Sequence, residues 1–253
     1  MQRPPDRRSP LVLFARDTSE WINRVNQKHK QLVDLGLSDE KKERLARFCE
    51  IEFVYSTLTL EGSGVTREDV ARISSNAGTP GAENDHVANA LVSSFRLVRS
   101  LARKQGKGAE LTPELLLKLH SVPDAGWRYS GAETSRVPKL VAPEHLPALL
   151  ESACAWYTAE SFTELNPVEQ ASIVLLRLID LQPFEQANER TALVAASLFT
   201  LRRELPPIII KPERAAAYRN ALDEGARMNT KPMVETIAEA VEKSLEELVE
   251  QSR

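Results

Sequence analysis

The chain has 253 residues and a net charge of −3, with 42% hydrophobic and 27% charged residues, and these are ordinary values for a globular protein with a sizeable core. The acidic balance argues against a nucleic-acid-binding protein, because such proteins usually carry an excess of basic residues on one face. No segment approaches the roughly 20 apolar residues that a membrane helix needs, and the apolar run Leu11–Ala15 is too short for a signal peptide, so we expect a soluble cytoplasmic protein without a membrane partner.

Helical periodicity dominates the first half of the chain. Ser38 is a candidate N-cap, because its hydroxyl can accept a hydrogen bond from the first turn and the acidic Asp39 and Glu40 suit the positive end of the helix dipole. This helix is expected to end near Gly62, since glycine commonly follows a helix C-terminus. The apolar spacing predicts helices over residues 18–35, 39–61, 66–73 and 85–104.

Two strongly apolar segments follow in the second half, and their apolar residues on nearly every face predict buried helices. One short polar loop, which begins at Gln182, joins them. Residues 122–141 have no periodicity, and a loop of that length inside a compact domain is often functional. Helices are predicted over residues 112–119, 147–158, 167–181, 188–202 and 233–250.

The polar loop between the two apolar helices carries the most informative motif of the chain. Its sequence is Gln182-Pro183-Phe184-Glu185-Gln186-Ala187-Asn188-Glu189-Arg190. It resembles the signature His-Pro-Phe-x-Asp/Glu-Gly-Asn-Gly-Arg of the Fic (Fido) family, which it matches at four positions, Pro183, Phe184, Asn188 and Arg190. The catalytic motif is therefore degenerate.

An upstream segment strengthens this resemblance. Thr57, Glu61 and Gly62 match the Ser/Thr-x-x-x-Glu-Gly helix of the family, in which the glutamate is autoinhibitory. The resemblance covers residues 40–245. It implies an all-α fold, namely a Fic-fold helical bundle with a central helix–loop–helix, and the loop of residues 122–141 corresponds to a target-docking flap that could form a small β-hairpin.

The resemblance also suggests a division of the chain. Residues 1–80 are expected to be an N-terminal helical extension with the inhibitory-helix-like motif. Residues 81–253 are expected to be the Fic-like core, and the two parts together should form one structural unit.

Members of the family transfer a phosphate-containing group, usually AMP from ATP, to a hydroxyl of a target protein, so the resemblance implies ATP, Mg²⁺ and a protein partner. The family's general base is a histidine, but this chain has Gln182, whose amide has no titratable group near neutral pH. The family's metal-holding acid corresponds to Gln186, a poorer ligand for Mg²⁺ than a carboxylate. Glu185 is a neighbouring carboxylate that could replace it.

The two glycines of the signature correspond to Ala187 and Glu189. In the family, the loop and the following helix N-terminus bind phosphates, and glycine allows the positive φ and the close approach of the backbone. Ala187 narrows that conformational choice, and Glu189 places a carboxylate at the positive end of the helix, where it should repel ATP. The family's second arginine corresponds to Leu193, so one phosphate contact is missing.

A purely structural reading explains the same residues without a ligand. Asn188 is a favourable N-cap, Glu189 is a favourable first-turn residue, and Arg190 can pair with a nearby carboxylate. Glu61 could reach Arg190, because Leu193 cannot pair with it, or it could be an ordinary glutamate before a C-terminal glycine.

These observations lead to two functional hypotheses. The first is a Fic-like protein impaired in AMP transfer, either a pseudoenzyme or a regulatory module that binds a protein partner. The alternative is an active transferase of nucleotidyl or other phosphate groups that modifies protein hydroxyls with a non-histidine base. A transcription regulator ranks last because of the acidic charge, and a homo-oligomer through the amphipathic tail helix remains open.

Other reactive residues offer no second site. His120 ends a leucine-rich helix and is expected to be structural, and no metal site is predicted, because neither the histidines nor the two cysteines have a metal-ligand spacing. Trp127 and Tyr129 could anchor a partner peptide or pin their own loop. Arg128 and Arg136 in the same loop are expected to be solvated.

Overall fold

The computed structural model describes residues 19–75, 83–105, 110–120, 127 and 141–252. Within these ranges, the chain is helical and forms no strand, so the predicted all-α fold is confirmed. The hairpin considered for residues 122–141 lies outside the described residues, apart from Trp127 and Val141. The α-helices are α1 Ser19–Asp34, α2 Asp39–Leu60, α3 Arg67–Ser75, α4 Glu83–Gln105, α5 Pro113–Leu119, α6 Leu146–Trp156, α7 Glu160–Thr163, α8 Pro167–Leu181, α9 Asn188–Leu201, α10 Ala215–Ala226 and α11 Lys231–Ser252.

Side-chain caps fix the start of several helices. The Ser38 hydroxyl accepts a hydrogen bond from the Lys41 N–H at the start of α2, as its sequence predicts. Thr112 caps α5 in the same way. Asn166 and Glu169 form a reciprocal capping box at the start of α8, which satisfies main-chain N–H groups that have no partner inside the helix.

Helices α8 and α9 pack against each other at the centre of the molecule. Every residue of α9 from Thr191 to Thr200 is buried, because α9 also packs against α4 and α5. The tail helix α11 packs on α1, α8 and α10, so its apolar face is covered by the chain's own core. No described helix is both long and apolar enough to cross a membrane.

The N-terminal helices share a buried cluster with the rest of the chain. Val25 of α1 and Phe53 of α2 belong to the same cluster as Leu178 of α8 and Val241 of α11. The predicted boundary at residue 80 lies outside the described residues.

A buried carboxylate joins α2 to three other parts of the chain. The Glu52 carboxylate accepts hydrogen bonds from Arg67 Nε and from Lys211 Nζ, both at 2.6 Å, and Lys211 also pairs with Glu247 of α11. Burial alone would raise the pKa of Glu52, but the hydrogen bonds from Arg67 and Lys211 hold its pKa below the ordinary value. This network ties α2, whose C-cap is Glu61, to α3 and to α11, which in turn packs on α8.

We expect the substitution Glu52→Gln to lower the free energy of unfolding by about 2 kcal/mol at pH 7, because it removes the charge that Arg67 and Lys211 compensate. The folded-state pKa of Glu52 is lowered, so this loss should be full above about pH 4.3, the ordinary pKa of a glutamate. It should disappear as the pH falls through the lower pKa of the folded state. Urea unfolding of both proteins between pH 3 and pH 8 measures the difference.

Glu43→Gln on the exposed side of the same helix is the matched control, because exposed ion pairs contribute only about 0–1 kcal/mol. An equal loss in both variants would contradict the structural importance of Glu52.

Candidate functional site

The motif loop connects α8 to α9 through two residues in the left-handed backbone region. Gln182 has φ 42° and donates its main-chain N–H to the Leu178 carbonyl at 2.9 Å, which ends α8. Ala187 has φ 56° and precedes the first residue of α9. Such a backbone costs a residue other than glycine roughly 1–2 kcal/mol. Ala187 therefore keeps the positive φ that suits the family's glycine, and the surrounding contacts must hold it there.

Asn188 supplies the contacts that close the loop. Its Oδ1 accepts the Phe184 N–H at 2.9 Å, and its Nδ2 donates to the Phe184 carbonyl at 2.8 Å. The expectation that Asn188 is an N-cap is wrong, because Ala187 occupies the N-cap position without a side-chain hydrogen bond. The Asn188 amide is already bound to the main chain of Phe184.

Three aromatic rings stack at the same place. The buried Phe184 ring lies 3.9 Å from the His120 ring and 4.9 Å from the Trp127 ring, and both pairs are nearly parallel. Trp127 also forms an antiparallel β-bridge with Phe184. These contacts support the reading that Trp127 pins its own segment to the motif loop, whereas Tyr129, Arg128 and Arg136 lie outside the described residues.

His120 supports the loop from the end of α5. The Thr191 hydroxyl donates to the Ala187 carbonyl at 2.8 Å, so its oxygen is free to accept the Nδ1–H of His120 at 2.9 Å. Burial lowers the pKa of His120 to about 4, and the charge of Arg190 adds to this effect. The imidazole is therefore neutral near pH 7, and the hydrogen bond to Thr191 gives it a structural role.

Glu61 reaches the motif loop from the C-terminus of α2. Its Oε1 lies 3.5 Å from Nε of Arg190, and the Arg190 side chain is only 11% exposed. Gly62, at φ 83°, follows the helix end, and the Ser63 N–H returns to the Leu58 carbonyl. Both readings of Glu61 therefore hold, since it ends a helix before a glycine and also pairs with Arg190.

Glu189 adds a second carboxyl group in the first turn of α9. Burial raises the pKa of Glu189, although the Tyr218 hydroxyl and the Arg219 charge oppose this effect. Burial also raises the pKa of Glu61, where Arg190 opposes the effect and Glu189 adds to it. Leu193, at the position of the family's second arginine, adds no cation because it is uncharged, and it is buried in the core with 1% of its surface exposed.

The remaining motif residues differ in how far they are exposed to solvent. Thr57 and Pro183 are buried, Gln182 is half-buried, and Glu185 and Gln186 are exposed. The described residues contain no group of three His, Cys, Asp or Glu side chains that could bind a metal ion. At the metal position of the signature the chain has the exposed amide of Gln186. Arg190 lies beside the Glu61 carboxyl group, and its Nε and Nη1 have no hydrogen-bond partner among the described residues.

From the sequence, His120 is assigned a structural role without its partner being identified, and no role is assigned to Thr191 or Tyr218. His120 and Thr191 are 71 positions apart, and no local pattern indicates that they meet. Tyr218 of α10 forms a side-chain hydrogen bond with Glu189, and no local pattern indicates that these two residues meet.

The described residues thus define a class of helical domain in which two buried central helices are joined by a short loop with left-handed residues at both ends. Residues 110–200, which include the motif loop, match the family model described as the Fic/DOC family, so the resemblance of the motif region to this family is supported. The structure is similar to that of a Fic-domain-containing signaling protein from Bacteroides thetaiotaomicron, with a TM-score of 0.78 and 22% identity over 90% of this chain and 97% of that chain.

Two curated relatives are named protein adenylyltransferases. The protein from Caenorhabditis briggsae is 30% identical over 109 residues, which are 43% of this chain and 22% of that protein. The protein from Nematostella vectensis is 21% identical over 240 residues, which are 90% of this chain and 55% of that protein. The chain thus spans between about a fifth and about half of the length of these relatives.

We expect Asn188→Ala to lower the free energy of unfolding by about 1–3 kcal/mol, because it leaves the main-chain N–H and C=O of Phe184 without partners. Asn188→Asp should lower the free energy of unfolding by less, since a carboxylate still accepts the Phe184 N–H. Asn220→Ala, at an exposed position of α10, is the control and should change stability by less than about 0.5 kcal/mol. Denaturant unfolding measures all three, and a fully stable Asn188→Ala variant would show that the loop does not depend on this amide.

We expect Glu189→Gln to stabilise the protein at pH 7, because burial makes the ionised carboxylate unfavourable. Since the pKa is raised in the folded state, the penalty is full above that pKa and vanishes below about pH 4.3, the ordinary value. Melting temperatures measured from pH 4 to pH 8 should therefore show a gain that shrinks as the pH falls. The exposed Glu185→Gln should show no such trend, and a variant that melts lower at every pH would refute the assignment.

Proposed function

We propose that this chain is a Fic-family protein impaired in AMP transfer, which acts as a regulatory module that binds a protein partner. The proposal rests mainly on the ion pair between Arg190 and Glu61. Arg190 is at the position of the signature's arginine in the phosphate-binding loop, and here a carboxylate of the same chain lies 3.5 Å from its Nε. Glu189 places a further acidic group at the start of α9, where a phosphate would need the positive helix end.

The residues at the reactive positions support the same conclusion. Gln182 cannot accept a proton from a target hydroxyl, and loss of a positioned base typically lowers a rate by about 10² to 10⁴. Gln186 offers an exposed amide where the family has a metal-holding acid. His120 is a neutral imidazole near pH 7, but its stacking on Phe184 and its bond to Thr191 commit it to the fold.

A protein partner is proposed from the relatives. The two curated relatives are named protein adenylyltransferases, so their names specify protein targets. A chain that keeps the helical frame of this family but not its reactive residues can retain the surface that recognises a protein. ATP and Mg²⁺ are not expected to bind at the motif loop of the unaltered chain.

Calorimetry with ATP and Mg²⁺ tests the proposal. The unaltered chain should show no binding, whereas the triple variant Glu61→Gly, Ala187→Gly and Glu189→Gly should bind ATP, because it frees Arg190 and removes both carboxyl groups. Two controls separate the effect of Glu61 and Glu189 from a general change in charge. One is the same variant with Glu189 restored, and the other is Glu185→Gly. Tight binding of ATP by the unaltered chain would overturn the proposal.

A second candidate function is phosphate-group transfer with a base other than histidine. The Glu61–Arg190 ion pair favours this second candidate in one respect. An ion pair within the chain can block a site that is otherwise able to bind a phosphate donor, and a substitution can remove that block. Incubation with labelled ATP decides between the two. Label on Glu61→Gly, or on the unaltered chain, would establish the transferase, whereas Gln182→His alone should remain unlabelled because Arg190 is still paired.

A further inference from the structure

A cavity of about 480 Å³ lies at the far end of α9 from the motif loop. The 14 residues of α9 separate the two places by roughly 20 Å, at about 1.5 Å per residue. Helices α1, α2, α4 and α11 and residues 201–207 enclose the cavity. Its volume is within the usual range for small-molecule sites, about 300–1,000 Å³. None of the motif residues lines it.

The wall of the cavity is mainly apolar. Its lining includes Leu32, Leu37, Leu45, Phe95, Leu205 and Leu248. Val33, which also lines it, is 57% exposed. An exposed aliphatic side chain beside an open apolar cavity leaves surface that an apolar ligand would cover. The pocket therefore favours an aliphatic group over a polar one.

The charged groups at the same cavity are mostly cationic. Lys42, Arg99 and Arg103 line it, with Glu204 as the acidic residue among the described lining residues. Arg99 and Arg103 are four positions apart on α4, so they lie on one face. Both pair with the single carboxylate of Glu43.

Arg99 and Arg103 together carry one more positive charge than the single carboxylate they share, whereas Lys42 pairs with Asp39. The hydrogen bonds from Arg99 and then from Arg103 hold the pKa of Glu43 below its ordinary value, which reports the positive field at this place. Two guanidinium groups that share one carboxylate can bind a second anionic oxygen group, because each guanidinium has several N–H donors for carboxylate oxygens. His29, which also lines the cavity, adds a further donor.

We propose that this cavity binds an amphipathic anion, specifically a medium-chain aliphatic carboxylate. The aliphatic part of the ligand lies against the leucine-lined wall, and its carboxylate lies at Arg99 and Arg103. The proposal combines the volume, the apolar wall and the two arginines that share one carboxylate, and it is independent of any activity at the motif loop.

Calorimetry of the full chain with sodium decanoate below its micelle concentration tests the site. We expect saturable binding of one molecule per chain. Octanoate should bind about tenfold more weakly, since each buried CH₂ group contributes to the affinity. The uncharged 1-decanol should also bind at least tenfold more weakly. Failure of decanoate to bind, or equal binding of decanol, would overturn the proposal.

Variants locate the site. The double variant Arg99→Gln and Arg103→Gln should weaken decanoate binding at least tenfold, and the cavity-filling Ala46→Leu should abolish it, because Ala46 lines the cavity. Arg177→Gln on α8, whose arginine pairs with Asp180, is the matched control and should bind normally. Melting temperatures confirm that each variant is folded.

Sedimentation distinguishes the ligand from a second copy of the chain. A dimer that Ala46→Leu dissociates, together with an absence of decanoate binding, would show that a second molecule covers the cavity and would refute the ligand proposal. Decanoate binding that Ala46→Leu leaves unchanged would place the ligand elsewhere and would refute it as well.

Discussion

The shape of the motif loop depends on the two hydrogen bonds between the Asn188 amide and the main chain of Phe184. They close the loop between its two left-handed residues, and they place the Phe184 ring where it stacks on His120 and Trp127. Through Phe184, Asn188 thereby connects the start of α9 with His120 at the end of α5 and with Trp127. Arg190 lies two residues further along α9, and its guanidinium faces Glu61. The contacts of Asn188 and Phe184 hold the start of α9 in the position that this pairing needs.

The carboxylates of the molecule show how the environment decides the behaviour of one residue type. Glu52 is buried but has two cationic hydrogen-bond donors, so its pKa is lowered. Glu61 and Glu189 are partly buried with fewer compensating charges, and their pKa values are raised. The motif loop is thus a place where negative charge is poorly compensated, and a further anion would increase the electrostatic cost.

Most of the fold could be predicted from the sequence, because its signals are local. Ser38 and Thr112 cap their helices as their residue types indicate, and the apolar character of α8 and α9 predicts their central position. The residues of the motif loop were also recognisable, and the proximity of Glu61 to Arg190 was one of two readings. The role of Asn188 was not predictable, since the capping preference of asparagine is the same whether its amide binds the next turn or the residue four positions before it.

The supporting contacts of the site were harder to predict, because they are non-local. His120 meets Thr191 and Phe184 only after α5 packs on α9, and the sequence gives no periodic signal for that contact. The position of Glu189 beside Tyr218 likewise depends on the packing of α10. Local patterns therefore predict where elements begin and end, whereas the polarity of the site is determined by tertiary neighbours.

The left-handed backbone at Ala187 has a consequence for the unfolded chain. An alanine samples fewer conformations than a glycine before folding, so less chain entropy is lost when this segment becomes ordered. The steric cost of the positive φ at Ala187 is partly offset in this way. A glycine at the same position would leave the unfolded segment more conformations to lose, so the alanine favours a single shape of the folded loop.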